Sequence, residues 1–595
     1  QTGWYVPPFV DANEGDSPTR CSCKISRYRS ATLRTALHVE RLKTYTGGTN
    51  MTELAYAAGP TNRPLLTDTI GQNLAATVAA HGDREALVAV HQDIRWTYNE
   101  FARRVADLAK GMLGAGLVTG DRVGLWSPNY AEWTLLQFAT AEIGVILVNV
   151  NPSYRTHELA YAINQSECRW IVAAPEFKTS DYRSMVASVR DQCSQLERAV
   201  FFWDDDWNEL CGGSDTISDA DLDACRAKLA CDDPINIQYT SGTTGFPKGA
   251  TLTHKNILNN GHNVTRGQNI THEDRLCIPV PFYHCFGMVM GNLGCTSTGA
   301  TMVIPGDAFD PVAVLTAVEK ERCTALYGVP TMFIAELALP NFDDFDLTSL
   351  RTGVMAGSLC PEDAMIACVE QMHMVDVTNC YGMTETSPVS CQTMIGDTIE
   401  HQTQTVGVAH PHVEVRIADP LTGETLPRGE HGEFCTRGYS VMQGYWNDDE
   451  KTAGAIDADG WMHTGDIAVM FDDGYVNIVG RIKDLVIRGG ENIYPREVEE
   501  FLLGHPDIRD VQVIGVPDAK YGEEVMACVI AADGADVTLD DIKAFCQGKI
   551  AHFKVPRYLS IVTEFPMTVT GKIRKIQMRD EAVAALGLGD FVADA

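Results

Sequence analysis

The sequence predicts an α/β protein: a large N-terminal domain of βαβ subdomains plus a β-barrel-like subdomain, followed by a small α+β C-terminal domain. Three observations carry this. From about residue 67 to 379, short apolar runs of strand type alternate with segments of helical period. Over 403–479 the texture changes to short β-type runs separated by turn signals. After Gly480 a compact alternation returns over roughly 110 residues, the size of a small domain. A chain of 595 residues is long enough for this division.

Residues 1–66 read as an N-terminal extension, disordered or non-native upstream of Met51. Residues 18–44 carry seven Arg or Lys (Arg20, Lys24, Arg27, Arg29, Arg34, Arg41, Lys43) against one acid, Glu40. That composition resembles an organellar transit peptide, but no amphipathic face forms and the first 17 residues are acidic. The large domain is expected over 67–482. Glu85–Val90 reads as a strand. Tyr98–Leu117 reads as a helix, with Phe101, Val105, Leu108 and Met112 recurring every three to four residues. Arg122–Trp126, Gly144–Val150 and Trp170–Ala173 are further strands. Residues 204–233, acidic and rich in Gly and Asp, read as an exposed loop. The rhythm resumes at Ala300–Ile304, Cys323–Tyr327 and Val375–Asn379, and implies a parallel sheet with helices on both faces. In 403–479 the turns are Asp419-Pro420, Thr422-Gly423, Pro427-Arg428-Gly429, Asp457–Gly460 and Asp472–Gly474. The small domain, 483–595, alternates through Val498–Leu503, Val511–Val516, Ala527–Ala532, Asp540–Gln547 and Leu559–Val562.

Composition narrows the function classes. A hydrophobic fraction of 45% and a charged fraction of 21% are those of a globular protein. A formal net charge of -32 argues against a nucleic-acid partner. The 18 cysteines form no CxxC pair, which reads as reduced thiols in a reducing compartment. No apolar run is long enough for a transmembrane segment; the best candidate, Leu135 to Val150, carries Glu142.

The chemistry centres on Tyr239-Thr240-Ser241-Gly242-Thr243-Thr244-Gly245-Phe246-Pro247-Lys248-Gly249. It follows the strand-like Ile235–Gln238 and precedes a helix read from Thr253. Three glycines, four hydroxyls and a lysine within eleven residues suit a polyphosphate. Pro247 before the lysine and Gly249 after it exclude the GxxxxGK[ST] loop. Other segments stand out downstream: Pro281-Phe282-Tyr283-His284-Cys285-Phe286-Gly287, Ala356-Gly357-Ser358, Tyr381-Gly382-Met383-Thr384-Glu385-Thr386, Trp461-Met462-His463-Thr464-Gly465-Asp466, Gly480-Arg481-Ile482-Lys483-Asp484, Gly489-Gly490-Glu491-Asn492-Ile493-Tyr494-Pro495, and Pro566-Met567-Thr568-Val569-Thr570-Gly571-Lys572-Ile573-Arg574-Lys575. Taken singly, His284 reads as a core histidine and Lys572 as a solvated charge.

Together and in this order, from about residue 70 to 585, these segments resemble the adenylate-forming (AMP-binding) enzyme superfamily, and look most like its medium-chain fatty acyl-CoA synthetases. The resemblance implies ATP, Mg2+ and coenzyme A as ligands, with a fatty acid as the acyl substrate. Thr240, Ser241, Gly242, Thr243, Thr244, Gly245 and Lys248 would steady the leaving pyrophosphate. Gly357, Ser358, Tyr381 and Gly382 would border adenine, and Asp466 and Arg481 the ribose. Thr384 would donate to the α-phosphate, Glu385 would ligate the metal, His284 would border the acyl carboxylate, and Lys572 would be the adenylation lysine. Lys483 would be the hinge of a mobile small domain, and Gly489 and Gly490 the loop passed by pantetheine. The implied reaction makes acyl-AMP and then acyl-CoA, in lipid metabolism. Loading of an acyl carrier protein, or an aryl acid as substrate, stays open, as does a luciferase-like oxidase. A monomer or homodimer in the cytoplasm is expected, or in the mitochondrial matrix if residues 1–50 are a transit peptide.

Overall fold

The computed structural model describes residues 53–240, 247–358, 360–489, 491–567 and 573–588. Two seven-stranded sheets organise the large domain. The first runs Gly444–Tyr445, Lys248–Thr253, Pro234–Thr240, Ile146–Val150, Arg122–Trp126, Trp170–Ala173, Arg198–Phe201 in spatial order. Its last five strands are parallel, and Lys248–Thr253 is antiparallel to both neighbours. The second runs Asp376–Thr378, Thr352–Met355, Ala325–Gly328, Arg275–Cys277, Thr301–Ile304, Glu85–Ala89, Ile94–Thr97, parallel except at the last pairing. The expected strands lie within a residue or two of these bounds, and the helix read over Tyr98–Leu117 spans Tyr98–Gly114. Thr97 caps it, its hydroxyl accepting from Glu100 N while the Glu100 carboxylate takes the Thr97 N–H.

The apolar run that carries Glu142 is the helix Ala131–Ile143 and the strand Ile146–Val150, turned at Gly144, where φ is 68°. Every residue of that helix is buried. Among the described residues no helix is long and apolar enough to cross a membrane. The buried Glu142 carboxylate pairs with Arg226. Arg226 comes from the stretch expected to be an exposed loop. Residues 204–233 instead hold two short helices, Asp205–Cys211 and Asp219–Arg226. Trp207, Leu210 and Leu222 bury against the main core, and a Ser218–Asp221 box caps the second helix. Acidity marked the exposed face only; a few spaced apolar residues were enough to fold the segment down.

Residues 403–479 contribute four strands of an antiparallel five-stranded sheet ordered Tyr56–Ala58, Val413–Ala418, Gly432–Gly438, Met462–Met470, Val476–Arg481. Its first strand lies inside the stretch read as an N-terminal extension to residue 66. Ala55, fully buried in that sheet's core, shows why residues 53–66 belong to the fold. The final sheet joins Val486–Arg488, Glu491–Ile493, Gly522–Ala531, Ile508–Asp518 and Tyr558–Ile561. Helices Pro495–Leu503 and Leu539–Cys546 and helix Lys575–Leu586 fill separate apolar clusters around it. Inside it, the fully buried Glu524 is held by Arg488 at 2.6 and 3.0 Å and by Arg557 at 3.2 Å, satisfying a charge that burial alone would penalise.

Candidate active site

The strands that flank the glycine- and hydroxyl-rich stretch pair as a hairpin. Pro234–Thr240 returns antiparallel as Lys248–Thr253, with Thr240 opposite Lys248. The helix expected from Thr253 does follow, as His254–Gly267, but a full strand separates it from the loop. Ser241, Gly242, Thr243, Thr244 and Gly245 lie outside the described residues. The root of the hairpin is braced on both sides. Tyr161 donates to the Pro247 carbonyl at 2.9 Å, Tyr239 donates to Gln165 Oε1 at 2.6 Å, Gln165 Nε2 donates to the Trp446 carbonyl at 2.6 Å, and Trp446 N donates to the Gly249 carbonyl at 2.7 Å. Lys248 Nζ stands 4.7 Å over the Tyr445 ring, a cation held against an aromatic face.

Glu385 sits beside this root in a single 3-10 turn, Thr384–Thr386, and is only 5% exposed. Its Oε1 accepts from the Thr240 hydroxyl at 3.1 Å and from the Tyr445 hydroxyl at 3.0 Å. Its backbone carbonyl accepts from Met442 N at 2.9 Å. Among the described residues no hydrogen bond is made to Oε2, so the carboxylate offers one fixed, hard oxygen to a ligand. Burial first, and Glu385 second, push the Tyr445 phenol well up, so it remains a donor. Thr384 opens the turn, and its carbonyl accepts from Ser387 N at 3.1 Å. Gly382 stands where the chain folds back on itself: a Cβ there would lie 1.8 Å from the Pro388 carbonyl oxygen. This close approach, not backbone freedom, requires glycine.

A second polar group gathers at Tyr381, four residues before Glu385. Tyr381 donates to Asp466 Oδ2 at 2.6 Å, and Arg481 Nε donates to Asp466 Oδ1 at 3.0 Å. Asp466 and Arg481 are directly opposite on neighbouring strands. Asp466 holds the Arg481 guanidinium above its ordinary range. Burial, then Asp466, raises the Tyr381 phenol well above its ordinary range. Tyr381 packs edge-on to Phe434 with ring centres 5.0 Å apart. Gly357 and Ser358 follow the strand Thr352–Met355, whose parallel neighbour Asp376–Thr378 leads into Tyr381. Both segments therefore leave adjacent strands at their carboxyl ends, where open α/β sheets bind ligands. Gly357 has φ 93°, a conformation that side chains other than glycine's rarely adopt.

His284 lies beside Tyr283, ring centres 4.3 Å apart, just before the helix Phe286–Leu293, which has π-type hydrogen bonding. Such segments recur at functional sites. All of Gly287–Leu293 is buried. The stretch reaches the strand Pro234–Thr240 through Cys285 Sγ, which donates to Gln238 Oε1 at 3.3 Å, and through Met288 Sδ, 3.0 Å from Gln238 Nε2.

The structure thus brings Thr240, Lys248 and Glu385 together, and Tyr381, Asp466 and Arg481 together, joined by Gly382–Thr384. Lys483 lies in the one-turn helix Ile482–Asp484, directly after the strand that carries Arg481. Gly489 (φ 61°) is a turn residue directly after the strand Val486–Arg488, its N–H donating to the Tyr521 carbonyl at 2.8 Å. Gly490 and Lys572 lie outside the described residues. Tyr445 was not singled out from the sequence. Its only local mark is an aromatic beside a glycine, and its partner Glu385 is 60 residues away.

The AMP-binding enzyme family model matches residues 74–446, and the AMP-binding enzyme C-terminal domain model matches 497–572. The chain is 47% identical over 547 residues to YngI of Bacillus subtilis (strain 168), covering 88% of this chain and 99% of that one. It is 44% identical over 557 residues to the medium-chain acyl-CoA ligase ACSF2, mitochondrial, of Danio rerio, covering 90% and 91%. Among solved structures, ATP-bound MatB from Rhodopseudomonas palustris superposes with a TM-score of 0.74 at 28% identity, over 87% of this chain and 99% of that one.

Proposed function

Because this chain belongs to the AMP-binding enzyme family, we propose that it is an AMP-forming fatty acyl-CoA synthetase acting on a medium-chain fatty acid. The observation that carries this reading is the pair of polar groups around residues 381–385. Asp466, Arg481 and Tyr381 form one that suits a ribose; Glu385, Thr240, Tyr445 and Lys248 form the other, which suits a metal-bound triphosphate. The buried and largely apolar Phe286–Leu293 supports an aliphatic acyl group.

In this reading a carboxylate oxygen of the acid attacks the α-phosphorus of ATP. The bond to the β-phosphate oxygen breaks, and acyl-AMP and pyrophosphate form. The coenzyme A thiolate then attacks the acyl carbonyl, and AMP leaves with the bonding electron pair. The carboxylate is already ionised at neutral pH, so His284 orients and does not act as a base. The protein's contribution is positioning and charge stabilisation. Lys248 and the hydroxyls of the hairpin hold the leaving pyrophosphate, Thr384 donates at the α-phosphate, and Lys572 bridges acyl and phosphate oxygens. The donor set at Glu385, a nearly buried carboxylate with one oxygen fixed, fits Mg2+. Bound there, the ion would neutralise phosphate charge. Residues 483–595 would form the small domain that turns about Lys483 between the two steps, bringing Gly489 and Gly490 to the pantetheine. The sixteen free thiols among the described residues support a reducing compartment, which we take to be the cytoplasm.

The test is a panel of carboxylic acids, from acetate to palmitate plus aryl acids, with ATP, Mg2+ and coenzyme A, read as thioester formed. Preference for medium-chain acids is expected. Turnover confined to aryl acids, or acyl transfer only to a carrier protein, would overturn the assignment.

A further inference from the structure

The segment Thr464-Gly465-Asp466 is a bulge. Glu433 pairs with Ile467 and Cys435 pairs with His463, so Phe434 alone stands opposite Thr464, Gly465 and Asp466. Bulges beside active sites re-aim side chains. Here Gly465 takes φ 71°, and the Thr464 hydroxyl donates to the Phe434 carbonyl at 2.7 Å while accepting from Asp466 N at 3.1 Å. The bulge is held from inside by Glu433, which is 8% exposed. Glu433 Oε1 accepts the Gly465 N–H at 3.0 Å, and Oε2 lies 2.7 Å from His463 Nδ1. His463 Nε2 is 3.4 Å from Asp457 Oδ2, and Asp457 in turn meets Arg416 at 3.5 Å. A chain of contacts therefore runs from Arg416 through Asp457, His463 and Glu433 to the amide next to Asp466.

The same place offers a competing role. Ligand atoms of Glu433, Cys435 and His463 lie within 4.8 Å of one another, and a carboxylate–thiol–imidazole set is one that Zn2+ accepts. Yet both Glu433 oxygens already have partners, one of them the Gly465 amide. His463 Nδ1, the ring nitrogen nearest Cys435 Sγ at 3.6 Å, is likewise already engaged by Glu433 Oε2 at 2.7 Å.

We infer that Glu433 and His463 are positioning residues for nucleotide binding: they fix the bulge that aims Asp466 at Tyr381, Arg481 and the ribose. This rests on the reading of Asp466 as the ribose ligand. Losing Glu433 would leave the half-buried Gly465 amide without its acceptor and let the bulge relax. Asp466 would remain present but misaimed.

The experiment measures pyrophosphate release by the full chain with ATP, 2′-deoxy-ATP and 3′-deoxy-ATP. The proteins are wild type, Asp466→Ala, Glu433→Ala, Glu433→Gln and His463→Ala. Wild type is expected to favour ATP over the deoxy analogues by about tenfold or more in kcat/KM, the effect of one hydrogen bond to a charged group. Glu433→Ala should raise the KM for ATP about tenfold, change kcat less than about threefold, and lose that preference, as Asp466→Ala does. Glu433→Gln keeps an acceptor for the amide and should retain most of the preference; His463→Ala should fall between. A wild-type preference in Glu433→Ala overturns the inference. If that variant does not fold, the same result in His463→Ala, whose side chain is partly exposed, overturns it equally. No preference in wild type together with a silent Asp466→Ala means that the ribose reading itself has failed, and the inference with it. Stoichiometric Zn2+ in the purified protein, lost in Cys435→Ser, also overturns it, because the trio would then be a metal site.

Discussion

Glu385 owes its setting to two hydroxyls far away in the chain, Thr240 at a separation of 145 residues and Tyr445 at 60. The sequence marks Glu385 as an acid after a threonine, a pattern that also serves as an ordinary turn or cap. Its burial and its two donors fix the carboxylate in place. Tyr445→Phe should therefore cost roughly tenfold in kcat/KM for ATP, since a hydrogen bond to a charged group contributes about 1.5–3 kcal/mol and Thr240 retains one of the two. The Mg2+ concentration for half-maximal rate should rise, while the melting temperature stays within about 2 °C because the ring still packs. Unchanged Mg2+ dependence in the variant would remove Tyr445 from the site. Asp466, Arg481 and Tyr381 were legible because each sits in a distinctive run. Tyr445, Glu433 and His463 were not, because their roles exist only through contacts with other strands.

At the scale of elements, strand runs were the clearest signal. Fully buried parallel strands read as unbroken apolar runs, as Val123–Trp126 and Trp170–Ala173 do. The hairpin return Lys248–Thr253 was missed because Gly249 and two threonines, Thr251 and Thr253, made the stretch look like loop. The helices of 204–233 were missed because their solvent faces dominate their composition. The hinge proposed at Lys483 also belongs to this scale. Lys483 occupies a single turn, Ile482–Asp484, between a strand of the antiparallel sheet and the first strand of the small one. Proline fixes φ and drives the preceding residue out of the helical region. Lys483→Pro should leave pyrophosphate release within about threefold of wild type and lower thioester formation more than tenfold, since only the second step needs the turn. Equal losses in both half-reactions would show that the residue is structural and not a hinge.

For the whole molecule, burial sets how stability depends on pH. His254 and His410 are fully enclosed, and loss of solvation lowers both to about 3; His262 falls to about 4. His254 Nδ1 accepts from Ile70 N at 3.2 Å, so the neutral ring is the one the fold uses. In the unfolded chain each titrates near its ordinary value of 6.5. The unfolded state thus binds more protons between about pH 6.5 and 3. The stabilisation is complete above about 6.5 and is lost progressively as pH falls, on the order of 2 kcal/mol for each ring by pH 5. The urea midpoint should drop between pH 7.5 and 5, and drop less in His410→Gln, which keeps a polar group beside Gln392 without the titration. An identical drop in both proteins would place the acid sensitivity elsewhere.

The sequence by itself determined the family-specific segments, their order, and the alternation of strands and helices, because local period and short motifs are properties of neighbouring residues. Only the tertiary structure decided that Pro234–Thr240 and Lys248–Thr253 pair as a hairpin, that Tyr56–Ala58 belongs to the antiparallel sheet, and that Arg226 answers a buried glutamate. It alone set which hydroxyls hold Glu385 and which carboxylate holds the Gly465 amide. The physical reason is the same in each case. A buried charge or amide must find a partner, and the partner is chosen by proximity in space, across separations that no local pattern records.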